Sequence, residues 1–137
     1  MRFELVDNVL SAEDFIRLKV ETGFIDRPLE QVEKALANGL FKVSVICDGK
    51  VVGMGRLVGD GAMYWYLQEI IVLPEYQGMG IGKAIVNRLL DYIQNTAIPG
   101  TKISVGLTAV KGKESFYEKF GFVQGNSGMA KWMEIEE

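Results

Sequence analysis

The 137-residue chain contains no histidine, and this absence excludes several classes of enzyme. Without an imidazole there is no Ser-His-Asp or Cys-His triad, no HExxH zinc site and no histidine acting as a general base. Acid and base chemistry therefore falls to carboxylates, tyrosine, lysine, water or the backbone. A chain of this length is expected to form one domain, residues 1–137, whose core needs no metal or disulfide.

Cysteine and long apolar segments are also scarce. Cys47 is the only cysteine, and its place in the apolar run 43–47 predicts an inert core thiol rather than a nucleophile. We expect no metal site. No uncharged stretch approaches the roughly 20 residues of a membrane span, and the N-terminus lacks the apolar segment of a signal peptide. These absences predict a cytoplasmic protein that does not bind membranes.

The net charge is −3, so the chain lacks the overall excess of basic residues that is typical of proteins that bind nucleic acid. The distribution is less even than the total. Residues 74–120 carry six basic and four acidic side chains, whereas the segments on either side are acidic. An anionic small molecule is therefore the ligand that this part of the chain would favour.

Apolar periodicity and turn residues predict an α+β fold, with a mixed, mostly antiparallel sheet of about six to seven strands and four helices. The pair Asp48-Gly49 predicts a tight hairpin, and Ser11 with Asp14 predicts the start of a helix. The predicted strands are 3–6, 41–47, 51–58, 63–73, 102–107, 122–124 and 129–135. The predicted helices are 11–22, 28–38, 80–96 and 114–119.

Glycine, in contrast, is abundant, and Gly78, Gly80 and Gly82 stand where a predicted strand gives way to a helix. A helix N-terminus presents unpaired N–H groups, and glycines let an anion approach the backbone closely. Lys83 stands where the dinucleotide-binding pattern needs glycine, and the P-loop pattern does not fit either. Taken alone, the segment predicts either a phosphate-binding loop or a turn that lets the helix pack closely on the sheet.

The segment Gln77-Gly-Met-Gly-Ile-Gly82 resembles the coenzyme A signature Q-x-x-G-x-G of the GNAT N-acetyltransferase superfamily. The segment Phe116-Tyr-Glu-Lys-Phe-Gly-Phe122, some 33 residues later, resembles the second hallmark of that family. Residues 68–72 and 116–119 are similar in detail to the glucosamine-phosphate N-acetyltransferase branch. The resemblance covers nearly the whole chain and implies a GNAT-like acyl-CoA N-acyltransferase fold. Dimers are common in that family, so a homodimer is a further expectation.

The resemblance implies direct transfer of acetyl from acetyl-CoA, as cosubstrate, to the primary amine of a small molecule such as an amino sugar, a polyamine or an aryl-alkyl amine. It implies that Tyr117 protonates the departing sulfur, unless that ring only packs. The acceptor of the amine's proton is either Glu69 or a water molecule. The residues implied to bind the cofactor are Ile70, Ile71, Val72, Gln77, Gly78, Met79, Gly80, Ile81, Gly82 and Lys83.

Two alternatives to small-molecule acetylation stay open at this point. A non-catalytic sensor of CoA or acyl-CoA would keep the glycine loop without the chemistry, and a protein or peptide N-acetyltransferase would need a groove for its substrate. The family gathers acceptor contacts between its first two helices, where Glu21, Phe24 and Asp26 lie here. The family often has an asparagine seven residues before the tyrosine, and Val110 stands at that position.

Overall fold

The computed structural model describes residues 2–125 and 128–137 of the chain. Within these residues it has the predicted α+β fold and the predicted four helices, but five strands. The strands are β1 (Glu4–Asp7), β2 (Phe41–Cys47), β3 (Lys50–Gly59), β4 (Tyr64–Val72) and β5 (Ser104–Leu107). The helices are α1 (Ala12–Glu21), α2 (Leu29–Asn38), α3 (Ile81–Thr96) and α4 (Glu114–Glu118), and a short 3₁₀ turn spans Pro74–Tyr76. In the described part of the chain, no helix has both the length and the apolar character needed to cross a membrane.

The five strands form one sheet in the order β1-β2-β3-β4-β5. Neighbouring strands are antiparallel except for β4 and β5, which run parallel. The parallel pairing involves only the first half of β4, because its register ends where Leu67 meets Leu107. Residues 68–72 of β4 continue beside β3 alone, so the sheet opens between β4 and β5 beyond Leu67.

Local sequence signals explain how two of these elements begin or turn. The β2–β3 hairpin turns at Asp48 and Gly49, whose φ angles of 51° and 76° are both positive, as a type I′ turn requires. Helix α1 begins after Ser11, whose side chain accepts a hydrogen bond of 3.0 Å from the backbone N–H of Asp14. Both predictions from the sequence are confirmed.

Helix α3 packs across β2, β3 and β4 on one face of the sheet. A Cβ atom at Gly53 would lie 3.3 Å from Ile81, and one at Gly55 would lie 2.5 Å from Ile85, so these glycines let the helix approach the strand closely. Successive strand residues point to opposite faces, which places Met54 on the other face, where α1 contacts β3 and β4. The core is thus a sheet with helices on both sides. Its fully buried α3 side chains include Ile81, Ile85, Val86 and Leu89.

The prediction of strands at 122–124 and 129–135 is wrong, because residues 122–125 and 128–137 contain no strand. The prediction of six to seven strands was therefore too high by one or two for the described residues. The apolar side chains of these segments are largely exposed: Val123 at 88%, Met129 at 98% and Trp132 at 80%. Alternating apolar residues form a strand only where a partner strand and a buried face offset the loss of backbone entropy.

Replacing Gly55 by alanine tests the close packing of α3 on β3. The new methyl group would overlap Ile85, so we expect Gly55→Ala to lower the free energy of unfolding by about 1–3 kcal/mol. Urea denaturation measures this change. Gly39→Ala is the control, because the nearest atom to its Cβ lies at 3.4 Å, and it should change stability by about 0.5 kcal/mol or less. Equal stability of the two variants would contradict the packing described here.

Candidate functional site

A cavity of about 600 Å³ opens where β4 and β5 separate. It is bounded by the end of α1, the second half of β4, the glycine loop, the start of α3, and α4 with the residues before it. Nine of the ten residues predicted to bind the cofactor line it, and the tenth, Met79, packs against the core instead. The lining residues are Glu21, Thr22, Phe24, Ile70, Ile71, Val72, Pro74, Tyr76, Gln77, Gly78, Gly80, Ile81, Gly82, Lys83, Val110, Lys113, Phe116 and Tyr117.

The N-terminus of α3 presents backbone amides to this cavity. The first helical hydrogen bond runs from Ala84 N–H to the carbonyl of Gly80, at 3.0 Å. The amides of Ile81, Gly82 and Lys83 therefore precede the helical ladder, and all three residues line the cavity. The helix dipole and the Lys83 side chain add positive charge at the same point, which favours an anionic group.

The glycines of the loop differ in backbone conformation and in surroundings. Gly78 and Gly80 have φ angles of 81° and 84°, a left-handed conformation that other residues rarely adopt. Gly82 has an ordinary helical backbone, but a Cβ atom there would lie 3.4 Å from the ring of Phe116. The loop is therefore open above Gly78 and Gly80, and α4 approaches α3 at Gly82.

The second half of β4 exposes its backbone to the cavity because of a β-bulge. Gln68 pairs with Arg56 and Ile71 pairs with Met54, so two residues of β4, Glu69 and Ile70, stand opposite a single residue of β3. Glu69 has a φ angle of 52°, which is unusual for a residue other than glycine. The bulge bends β4 just beyond the end of its pairing with β5. Residues 70–72 consequently lie along the cavity with their β5-facing edge free of that strand.

Gln77, which is predicted to bind the cofactor, makes a hydrogen bond within the chain. Its side-chain amide donates a hydrogen bond of 2.9 Å to the backbone carbonyl of Val72. This bond ties the glycine loop to the end of β4. Gln77 still lines the cavity, but in this arrangement its Nε2 atom holds the loop rather than facing a ligand.

Tyr117 lies on α4 with its ring half-buried against the cavity. Its ring meets those of Phe116 and Phe122 edge-on, with centroid distances of 5.0 Å and 6.3 Å. Burial raises the pKa of the Tyr117 phenol above the 10.0 of a free tyrosine. The phenol therefore keeps its proton across the neutral range, as a proton donor must.

Glu69 lies beside the cavity but is not one of its lining residues. One carboxylate oxygen is 3.0 Å from Nζ of Lys19, and the other is 3.2 Å from Nη2 of Arg56. Both oxygens are thus engaged in ion pairs. A proton on Glu69 would weaken its attraction to both of these cations.

The two ends of the cavity differ in charge. Lys83 and Lys113 stand at the end formed by α3 and α4, and Glu21 stands at the end formed by α1. Phe24, just after α1, adds an exposed aromatic ring at the acidic end. Among residues 2–125 and 128–137, no group of three or more Asp, Glu or Cys side chains is arranged to hold a metal ion.

Sequence reasoning did not identify several residues of this region, among them Tyr76, Lys19 and Arg56. Tyr76 lines the cavity from the 3₁₀ turn. A single aromatic residue between a proline and a glycine loop does not by itself indicate a binding site. Lys19 and Arg56 were missed because they lie 50 and 13 residues from Glu69 in the chain. Only the folded sheet brings them together.

Comparison with known proteins decides the family. Residues 40–124, more than half of the chain, match the acetyltransferase (GNAT) domain family. The chain belongs to this family. An uncharacterized N-acetyltransferase of Pyropia yezoensis is 29% identical over 111 residues, which are 78% of this chain and 62% of that protein. The GNAT chain thus spans about three fifths of the length of that curated relative.

Solved structures agree with the family assignment. A probable acetyltransferase of unknown function from meticillin-resistant Staphylococcus aureus superposes with a TM-score of 0.86 at 28% identity, covering 98% of this chain and 100% of that one. Glucosamine-6-phosphate N-acetyltransferase from Arabidopsis thaliana superposes with a TM-score of 0.75, over 98% and 100% of the two chains. Its identity is 16%, so this likeness concerns the fold alone.

Filling the loop at Gly82 tests the site without disturbing the helix. Leucine is a better helix former than glycine, which offsets its contact with the Phe116 ring, so we expect Gly82→Leu to fold while its side chain enters the cavity. We expect the affinity for coenzyme A, measured by isothermal titration calorimetry, to fall at least tenfold. Asn87→Leu places the same side chain on an exposed position of α3 outside the cavity and should leave the affinity unchanged. Unchanged affinity in Gly82→Leu would contradict the assignment of the loop.

Proposed function

We propose that this GNAT protein is an acetyl-CoA-dependent N-acetyltransferase that acts on the primary amine of a small molecule. The observation that carries the proposal is the convergence of three features on one cavity. These are the amides at the start of α3, the free backbone edge of residues 70–72, and the protonated phenol of Tyr117. A glycine loop that served only to let the helix pack closely on the sheet would not need the other two features beside it.

The residues present fit coenzyme A. The left-handed glycines Gly78 and Gly80 leave open space where a side chain would otherwise stand, which suits close approach of a diphosphate to the backbone. The amides of residues 81–83 and the Lys83 side chain would hold that diphosphate, and the backbone of residues 70–72 would bind the extended arm. When bound, acetyl-CoA supplies a thioester as the acyl donor, so this chain needs no nucleophile of its own.

The chemical contributions of the chain are then few. A backbone amide on the free edge of β4 would stabilise the negative charge that develops on the acyl oxygen. Tyr117 would hold a proton at its phenolic oxygen and donate it to the departing sulfur. Because both oxygens of Glu69 are ion-paired, we propose that water, rather than Glu69 directly, takes the proton from the ammonium form of the acceptor.

The charge of the cavity supports a cationic acceptor. With phosphates held at the end that carries Lys83 and Lys113, the acceptor would enter at the end that carries Glu21. One Glu21 oxygen is 3.2 Å from Arg17, which itself does not line the cavity. The Glu21 carboxylate suits an ammonium group, and the exposed part of the Phe24 ring, over which Nζ of Lys19 lies at 5.1 Å from the centroid, suits an apolar body.

Several finer expectations rest on the sequence and stay predictions. They are the kinship to the glucosamine-phosphate branch, the homodimer, and the cytoplasmic location. The protein or peptide N-acetyltransferase and the CoA sensor are the outcomes against which the proposed activity is tested below.

The first test concerns the phenol. Tyr117→Phe keeps the ring packing and removes the proton, so we expect turnover to fall roughly 100-fold while the affinity for coenzyme A changes less than threefold. Because burial raises the pKa of Tyr117 above 10.0, the wild-type rate should not decline through ionisation of this residue below about pH 10. Steady-state kinetics between pH 6 and pH 10 measure both effects. Tyr64→Phe, at an exposed position outside the cavity, is the control, and equal rates in the two variants would return Tyr117 to a packing role.

The second test concerns the acceptor. Thiol release from acetyl-CoA is measured with aryl-alkyl amines, polyamines, glucosamine phosphate and peptides, and we expect the highest kcat/KM for an apolar amine. Glu21→Gln should raise the KM for that amine several-fold and leave the KM for acetyl-CoA unchanged. Glu13→Gln, an exposed change on the same helix, should alter neither value.

Three results would count against the proposed acceptor class. A preference for peptides would favour the protein N-acetyltransferase. A preference for glucosamine phosphate would favour the phosphorylated acceptor. Binding of coenzyme A without thiol release from any amine would favour the sensor.

A further inference from the structure

The most buried ion-pair network of the described chain lies next to the cavity and is not part of its lining. Lys19, Arg56 and Glu69 have side chains that are only 13–15% exposed. The side chains of the other described ion pairs are 31–44% exposed. Removing charged groups from water costs free energy, which is offset only when their partners are well placed. This network is therefore a specific feature of the fold rather than a chance surface contact.

The network joins three elements of the fold at one carboxylate. Lys19 comes from the last turn of α1, and its Nζ is 3.0 Å from Oε2 of Glu69. Arg56 comes from β3 and donates from Nε and Nη2, at 3.3 Å and 3.2 Å, to Oε1. The planar guanidinium of Arg56 therefore donates two hydrogen bonds to one carboxylate oxygen, and the ammonium group of Lys19 donates one to the other oxygen.

The carboxylate that they hold belongs to the residue with the least favourable backbone in β4. Glu69 has a φ angle of 52° and is one of the two bulge residues opposite β3. Such a conformation persists only where the surroundings hold it in place. Residues 70–72, which follow at once, form the wall of the cavity. The position of that wall thus depends on how Glu69 is anchored.

Lys19 also reaches toward the acceptor end of the cavity. Its Nζ lies 5.1 Å from the centroid of the Phe24 ring, and Phe24 lines the cavity. One cation therefore contacts both the bulge of β4 and the segment between α1 and α2.

We propose that Lys19 and Arg56 are positioning residues, which hold the Glu69 carboxylate and so fix the bulge that aims the backbone of residues 70–72 at the cofactor. This assignment rests on the function proposed above for the cavity. It makes Glu69 an anchor for the backbone rather than the group that takes the proton. A proton acceptor would instead be expected to stand in the lining with a free oxygen.

The variants Glu69→Gln, Arg56→Met and Lys19→Met test the proposal, with Arg56→Lys as the conservative variant. We expect each of the first three to lower kcat/KM about tenfold and to weaken coenzyme A binding by a similar factor. The factor should be the same at every pH from 6 to 9, because no titrating proton acceptor has been removed. Glu69→Gln combined with Arg56→Met should be little worse than either change alone, since both break one network. Arg56→Lys should recover part of the loss.

The matched control is Arg88→Met, which breaks the ion pair between Arg88 and Asp7 far from the cavity. It should lower thermal stability and leave kcat/KM and coenzyme A affinity unchanged, which separates positioning from general destabilisation. A deficit confined to Glu69→Gln and growing at low pH would overturn the proposal in favour of a catalytic base. Wild-type affinity and rate in Arg56→Met and Lys19→Met would also overturn it. If the wild-type protein turns over no amine, the proposed activity fails, yet the effect of these variants on coenzyme A affinity still decides the positioning role.

Discussion

The parallel pairing of β4 with β5 ends at Leu67, and the functional half of the molecule depends on that limit. Up to this point the sheet is continuous, with α3 packed across its middle strands. Beyond it, β4 bends at the bulge and its backbone is released from β5. A strand that cannot pair keeps hydrogen-bonding groups that a ligand can satisfy. The cavity, the exposed edge of residues 70–72 and the proposed use of backbone amides all follow from this one interruption.

The absence of histidine is consistent with such a site. Acyl transfer from a thioester to an amine requires positioning, stabilisation of negative charge on oxygen, and two proton movements. In the proposed function, backbone amides serve the first two tasks and the half-buried phenol of Tyr117 serves one of the proton movements. Carboxylates serve here as partners of cations: Glu69 binds Lys19 and Arg56, and Glu21 binds Arg17 at the cavity mouth. The chemistry that we propose therefore rests on geometry more than on reactive side chains.

Much of the fold could be predicted because its signals are local. The hairpin at Asp48-Gly49, the cap at Ser11 and the apolar stripe of α3 each lie within a few neighbouring residues, and the structure confirms them. The predicted strands at the C-terminal end were wrong for the opposite reason. The alternation of apolar and polar residues in 129–135 is typical of a strand. A strand forms only by pairing with the edge of a sheet, and these residues do not pair with one.

The sequence by itself determined where the backbone can turn and which residues can approach an anion. The positions of Gly78, Gly80 and Gly82 are examples. The absence of a Cβ atom widens the conformations open to the backbone and leaves it accessible, and this effect does not depend on distant residues. It also determined that any proton chemistry must use carboxylates, tyrosine, lysine, water or the backbone, because the chain has no histidine. Only the tertiary structure decided which side chains Glu69 contacts, since its partners come from α1 and β3. Burial and charge pairing are properties of neighbours in space, and the linear chain does not record which neighbours those are.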